Sequence, residues 1–241
     1  MLIKTRGIVF RSLKYGETSL IVDIFTEERG LRSYLINGVR SKRGKVKASL
    51  LQIMSLVEIV AYDKHERGLN RVKEIRADRV FQAIPFDVRR SAVGLFMAEI
   101  ARKSIREPEE NKRLFAFLHR SFAFLDETDQ PIGNLHLHFL LELSFYLGFV
   151  PGGTWSEATP FFNLQEGLFV REAPVHGHHL GKEESRVLYE LLNSTYSDCH
   201  AVQIKSAQRR LLLRKLIDFY RFHLENLSEI YAHEVLQEVL E

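Results

Sequence analysis

TSLIVDIFTEERGLRSYLING, residues 18–38, holds two short runs rich in β-branched and aromatic side chains. In IVDIF (21–25), Ile21, Asp23 and Phe25 face one way and Val22 and Ile24 the other, the two-residue period of a strand. EERG, ending at Gly30, breaks the first run and Asn37-Gly38 ends the second, both with turn chemistry. The reading is two strands, Thr18–Thr26 and Leu31–Asn37. Upstream, Leu2–Ser12 has the same character and YGE around Gly16 interrupts it. Downstream, LQIMSLVEIVAYD (51–63) is a long apolar run and RGLNRVKEIR (67–76) a plausible fifth strand. Five strands with a longer connection between the third and fourth predict an OB-fold β-barrel over residues 1–80, with a small SH3-like barrel as the alternative.

Beyond residue 86 the period becomes helical. Val88, Ala92, Leu95, Phe96 and Ile100 recur at three and four, after Asp87 as a candidate N-cap. Leu114, Phe117, Leu118, Phe122 and Leu125 make a second helix. Pro131 suits the first turn of a third, which is apolar all round from Leu135 to Leu147, as the buried centre of a bundle is. Gly148 and Pro151 stop it. Residues 151–182 read as an irregular insertion with a short hairpin, NLQEG turning between Phe161-Phe162 and Leu168-Phe169-Val170. Helices resume at about 183–193, 204–225 and 227–240. The expected architecture is therefore α+β and multidomain: a barrel over 1–80, then an α-helical bundle over 81–241.

The charge is divided unevenly. The formal net charge is +3, but residues 1–80 carry 17 Lys and Arg against 9 Asp and Glu, and the remainder is net negative. From Arg29 to Val57 there are seven basic residues and no acidic one. Arg32, Arg40, Lys42, Arg43, Lys45 and Lys47 concentrate positive charge where an OB barrel presents its loops. Such cations neutralise backbone phosphates and release condensed counterions without reading sequence. Tyr34, Tyr15 and Phe10 are candidate platforms for base stacking, and equally candidate core residues. Gly38 to Val46 resembles a phosphate-binding loop, but five residues separate Gly38 from Gly44 and Val46 follows Lys45. A magnesium-binding hydroxyl residue is needed there, so nucleotide hydrolysis is not expected.

Other chemistry is thin. His176, His178, His179 and Cys199-His200 include zinc-ligand types, but without the spacing of a known finger. His136 and His138, two apart on a helix, point about 200° away from each other and cannot chelate one ion. Cys199 beside His200 lacks a third member for nucleophilic catalysis. The acidic groups Glu183-Glu184 and Asp63 read as surface charge. No catalytic constellation emerges, and the chain is not expected to be an enzyme. In QRRLLLRKLIDFYRFHL (208–224), Arg209, Arg210 and Arg214 form a possible second basic strip. One cysteine, no apolar leader, and an apolar region (Leu135–Val150) broken by His136, His138 and Glu142 fit a soluble cytoplasmic protein.

RGIVFRSLKYGETSLIVDIFTEERGLRSYLINGVRSKRGK (6–45) closely resembles the opening of the RecO family of bacterial recombination mediators. The matching elements are Gly7-Ile8-Val9, Glu17-Thr18, Phe25-Thr26 followed by Gly30, and Gly38-x-Arg40. ELSFYLGFVP (142–151) resembles the end of the family's central helix, and FFNLQEGLFV (161–170) its following hairpin. The resemblance implies an OB-fold domain, a helical bundle and a function in recombinational DNA repair. Its members bind single- and double-stranded DNA, anneal complementary strands and work with RecR. They engage the acidic C-terminal tail of single-strand-binding protein and help load the recombinase RecA, on the nucleoid. Carried over, Arg40 and its basic neighbours are DNA contacts. The four-cysteine zinc site of many members finds only Cys199 in residues 151–200, so neither metal nor cofactor is expected. A generic OB-type RNA-binding protein or a protein-interaction scaffold is the alternative.

Overall fold

In a computed structural model of the chain, residues 1–39, 47–62, 68–105 and 109–240 are described. Five strands close into a barrel in the order β1-β2-β3-β5-β4. They are β1 (Leu2–Tyr15), β2 (Ser19–Thr26), β3 (Gly30–Ile36), β4 (Leu56–Tyr62) and β5 (Asn70–Arg79). Every neighbouring pair is antiparallel except β3 and β5, which run parallel and meet only at Tyr34↔Asn70 and Leu35↔Arg71. This order is that of the OB fold and sets the SH3-like alternative aside. The interior is filled by Val9, Val22, Ile24, Tyr34, Ile36, Val57 and Ile59.

Three strands differ from their sequence reading, β5 by running from Asn70 to Arg79 instead of over 67–76. β1 continues to Tyr15 rather than ending at Ser12, because its last residues pair with the start of β2. β4 begins only at Leu56. Ahead of it Ala48–Leu51 coil into a 3-10 turn, and Met54 adopts φ 75°. Leu51 and Met54 are buried there as loop residues, so the apolar run 51–63 is not one continuous strand.

A bulge in β1 decides what the barrel shows outside. Val9 pairs with Ile24 and Arg11 with Asp23, so Phe10 is an extra residue and the alternation shifts after it. Ile8, Phe10 and Phe25 consequently lie off the interior, yet all are buried. The covering element is helix α2 (Lys112–Glu127), whose Phe115 ring lies 6.2 Å from Phe25, itself 6.0 Å from Phe10. The Arg6 guanidinium sits 5.5 Å over Phe115 and forks onto Glu27 at 3.0 and 2.7 Å. At the C-terminal end of α2 the Asp126 carboxylate accepts the N–H groups of Gln82, Ala83 and Ile84 at 2.8–3.0 Å. Gly30 is required where the chain approaches this helix: its φ is +60° and a Cβ would stand 2.1 Å from the Glu109 carbonyl oxygen.

The chain thus divides into two compact units, Met1–Asp87 with Ile105–Glu127, and Val88–Ser104 with Thr128–Glu241. Although its period places it after residue 80 with the other helices, α2 belongs with the barrel. The second unit is built round α3 (Leu135–Leu147), against which α1 (Val88–Ser104), α4 (Lys182–Leu192) and α5 (Ser206–His223) pack. α3 starts at Leu135, so Pro131 precedes the helix instead of opening it. Gly148, at φ 87°, ends it, and the N–H of Phe149 reaches back to the Ser144 carbonyl at 3.0 Å. The hairpin forms as β6 (Phe161–Asn163) and β7 (Leu168–Val170), with β8 (His179–Leu180) on its other edge. α6 (Ala232–Val239) docks on α1, where the Glu99 carboxylate accepts the N–H groups of Tyr231 and Ala232.

His136, on α3, is 1% exposed and edge-on to Phe96. Burial, with Arg209 nearby, lowers its pKa from 6.5 to about 3. Because the folded pKa lies below the unfolded one, acid favours the unfolded state. The stability is fully present above pH 6.5 and is lost progressively toward pH 3. Between pH 7 and pH 5 this one group should remove about 2 kcal/mol. Urea unfolding of wild type and His136→Gln at the two pH values checks it: the variant should lose less stability in acid by about that amount, and equal losses would contradict it.

Candidate nucleic-acid interface

The barrel's cations fall into two groups once their partners are known. Arg6 is held by Glu27, Arg11 by Asp23 at 2.6 Å, and Arg79 by Glu127. Lys4 and Arg76 share Glu58 at 3.3 and 2.6 Å, and Lys73 reaches Glu74 at 3.5 Å. Arg76 chiefly, with a lesser part from Lys4, holds the Glu58 carboxyl below its ordinary range against an opposing desolvation second only to the effect of Arg76. Lys14, Arg32, Lys47 and Arg71 have no ion-pair partner among the described residues. A free cation can bind an outside phosphate without first losing a carboxylate.

Register shows where these free cations lie. Leu13 pairs with Ile21, Ile21 with Leu35 and Leu35 with Arg71, so one row across four strands ends in an exposed arginine. In the next row Lys14 pairs with Leu20 and Leu20 with Ile36, the last residue of β3. Asn37 follows at once, its side chain accepting a hydrogen bond from Ser19 at 3.0 Å. This is the end of the barrel from which the basic segment departs, and Val39 is anchored in the interior behind it. Lys47, exposed, marks its return just before the 3-10 turn, which packs on β5. Arg32 is half-buried on β3, opposite Ile24 and outside the short β3–β5 pairing.

The face between these cations is part apolar and part polar. Leu13 is 46% exposed, and Ile21 and Leu35 are half-buried beside it. The neighbouring row carries Asp23, whose carboxylate accepts Ser33 Oγ–H and Arg11 Nε–H, each at 2.6 Å. Its negative charge is thereby balanced within the protein and does not confront a phosphate. Among the aromatic candidates, Tyr34 and Phe10 are core, 1% and 2% exposed, whereas Tyr15 is 53% exposed at the end of β1. Only Tyr15 of the three can offer its ring to a base. The arrangement suits a polynucleotide, with cations for the backbone and an apolar and aromatic surface for bases.

The predicted residues fare differently. Arg40, Lys42, Arg43 and Lys45, with most of the Gly38–Val46 loop, lie outside the described residues. Arg32 and Lys47 are free cations on the barrel. Lys14 and Arg71 were not singled out by sequence, since neither lies in a basic cluster and only the strand register brings them to the segment's base.

The strip on α5 separates. Arg209 is half-buried, its Nε–H donating to Asn134 Oδ1 and an NH2 hydrogen to the Ile204 carbonyl, both at 3.0 Å. Asn134 in turn donates to the carbonyls of Cys199 and Val202, so Arg209 ties α5 to α3 and to residues 199–204. Burial lowers its pKa. Arg210 is half-buried beside His136 and Gln237, and Arg214 is exposed.

The remaining candidates are dispersed. Cys199 is buried with its thiol, donating to the Tyr196 carbonyl, pushed up by burial to about 11. His136 and His138 are buried, and His138 contacts the Ser194 carbonyl through Nε2 at 3.0 Å. Among the described residues no three His, Cys, Asp or Glu side chains gather as metal ligands would, and no helix is long and apolar enough to cross a membrane.

An OB barrel that carries several cations with no internal ion-pair partner among the described residues, joined to a second, helical unit, defines an OB-fold nucleic-acid-binding class of protein. The recombination protein O N-terminal family model matches residues 1–81 and its C-terminal counterpart residues 85–228. DNA repair protein RecO of Phocaeicola vulgatus is 36% identical over 239 residues, 99% of each chain. That of Flavobacterium psychrophilum is 37% identical over 241 residues, again 99% of each, and that of Bacteroides fragilis 35% over the full length of both. The chain belongs to the RecO family. Its role accordingly lies in DNA repair and recombination.

Arg209→Gln should destabilise the helical unit by about 2–3 kcal/mol, since it removes charged hydrogen bonds to partly buried partners. Arg214→Gln should stay within about 0.5 kcal/mol. Urea unfolding separates the two, and equal effects would show that Arg209 is not the tie described.

Proposed function

We propose that this chain is a DNA-binding recombination mediator. It binds single- and double-stranded DNA, anneals complementary strands, and helps load recombinase RecA onto DNA coated by single-strand-binding protein. In this reading it acts on the nucleoid in the cytoplasm, with RecR and the acidic C-terminal tail of single-strand-binding protein as protein partners. The observation that carries the reading is the placement of free cations. Lys14 and Arg71 lie beside the residues from which a basic segment holding Arg40, Lys42, Arg43 and Lys45 departs, and Lys47 follows that segment, while the barrel's other described lysines and arginines are mostly paired internally.

The mechanism needs no covalent step. Two strands repel through their phosphates, and a cationic surface that holds both lowers that repulsion and raises their local concentration. The apolar row and Tyr15 hold bases by contact rather than by edge readout, which leaves their pairing edges to a second strand. Base pairing supplies the driving force, and the duplex leaves as its bases withdraw from the protein.

Replacing Arg40, Lys42 and Arg43 together by Glu tests the reading. The slope of log affinity against log salt for a single strand should fall by about 2, at roughly 0.7 for each phosphate no longer neutralised. Annealing of strands coated with single-strand-binding protein should fall with it, while circular dichroism stays that of the folded chain. Unchanged annealing and slope would mean that these charges are solvated and that the reading fails.

A further inference from the structure

The histidine segment 176–179 has no part in the barrel interface, and its surroundings are unusual. The tip turns at Gly177, φ 76°, and the N–H of His178 donates to His176 Nδ1 at 3.0 Å. The two rings stack with centroids 5.6 Å apart, and His178 sets its ring edge-on to Phe222 of α5 at 4.9 Å. The tip is fixed to the hairpin, because Leu164 N–H donates to the His178 carbonyl at 3.0 Å. His179 lies in β8 opposite Asn163, its ring 5.8 Å from Phe161, and Lys182 Nζ stands 5.8 Å from the same Phe161 ring.

The charges around this cluster are mostly positive. Burial first, then Lys215 of α5 and His176, holds the His179 imidazole below its ordinary range, and no carboxylate opposes them. The acidic groups on the elements packed here are engaged elsewhere or lie at the edge. On α5, Asp218 pairs with Arg221 at 3.1 Å. On α4, Glu183 faces Arg186 at 3.5 Å and Glu184 lies against Gly181. Arg171 and Glu172, exposed after β7, and the exposed Arg214 complete the charged groups of the neighbourhood. His179 Nδ1 is buried without a hydrogen-bond partner. The histidine rings therefore gather beside Lys182 and Lys215, with Glu172 and Glu184 the carboxylates at the edge that have no ion-pair partner among the described residues.

We propose that His176, His178 and His179, with Lys182 and Lys215, form a second contact for nucleic-acid phosphates, one that strengthens in mild acid. It rests on the reading that the chain's ligand is DNA. An imidazole gains its charge near pH 6.5, and a protonated one gives a phosphate oxygen a charge-assisted hydrogen bond. The exposed Lys182 supplies contact at any pH and a protonated imidazole adds to it, His179 least, since burial and Lys215 oppose its charge. The ring of Phe222, 39% exposed, extends the patch with an apolar edge.

Fluorescence anisotropy with a labelled thymidine 30-mer and the full chain, at pH 7.5 and 6.0 over a series of salt concentrations, tests this. pH 6.0 is low enough to charge an exposed imidazole and high enough to keep most of the stability that His136 removes in acid. The wild-type slope of log affinity against log salt should steepen by about 1 at pH 6.0, and the variant His176→Gln, His178→Gln, His179→Gln should lack that increment. At pH 7.5 the variant should bind within about twofold of wild type, since neutral histidines contribute little. If the triple variant does not fold by circular dichroism, the exposed Lys182→Gln serves, lowering the slope by about 0.7 at both pH values. An increment kept in the triple variant, absent from wild type, or a slope unmoved by Lys182→Gln would overturn the proposal and leave DNA binding by the barrel intact. No binding by wild type at either pH would instead defeat the DNA reading, and this contact with it.

Discussion

β3 and β5 touch through two residue pairs, Tyr34 with Asn70 and Leu35 with Arg71, and the barrel closes on that contact. Asn70, the first residue of β5, is buried there, and Tyr34 fills the interior. Closing at this point fixes the register of β5 against every other strand. A one-residue slip would turn Arg71 inward and bring the half-buried Val72 and Ile75 to the surface. The position of the free arginine beside Leu35, next to the departure of the basic segment, is thus a consequence of how the core packs.

The same register explains why most of the barrel's positive charge is not available. Glu58 lies between Arg6 and Arg76 across β1, β4 and β5, and it takes Arg76 and Lys4. Asp23 faces Arg11, and Glu27 holds Arg6 in position over the Phe115 ring of α2. Where the cation is exposed, as in the Lys4 and Arg76 pairs with Glu58, such pairs contribute little stability, about 0–1 kcal/mol each. Their larger effect is on what the surface offers a polyanion: cations already satisfied within the protein leave attraction to the few that are not.

Much of this was legible in the sequence. The alternation in IVDIF, the turns at Gly16, Gly30 and Gly38, and the acid-free run from Arg29 to Val57 carry the barrel and the place of the basic segment. The rest needed contacts that composition does not encode. Phe10 cannot be sorted into core or platform until the bulge after Val9 sets the parity of β1, nor Tyr34 until the pairing of β3 with β5 turns it inward. The apolar face of α2 says that it is buried, not that Phe25 and Phe10 are what buries it. Arg209 has the same one-letter neighbourhood as Arg210 and Arg214, and only its approach to Asn134 and the Ile204 carbonyl separates a structural tie from an exposed charge. Lys14 and Arg71 belong to no run at all.

Arg71 and Arg76 offer the most direct comparison, since both are exposed arginines on β5, one free and the other held by Glu58. Single replacement of each by Gln removes the same charge from the same strand, five positions apart. Salt titration of single-stranded DNA binding should show the slope of log affinity reduced by about 0.7 for Arg71→Gln and unchanged for Arg76→Gln. Equal reductions, or a reduction confined to Arg76→Gln, would contradict the sorting of cations by their internal partners and place the DNA on another face of the barrel.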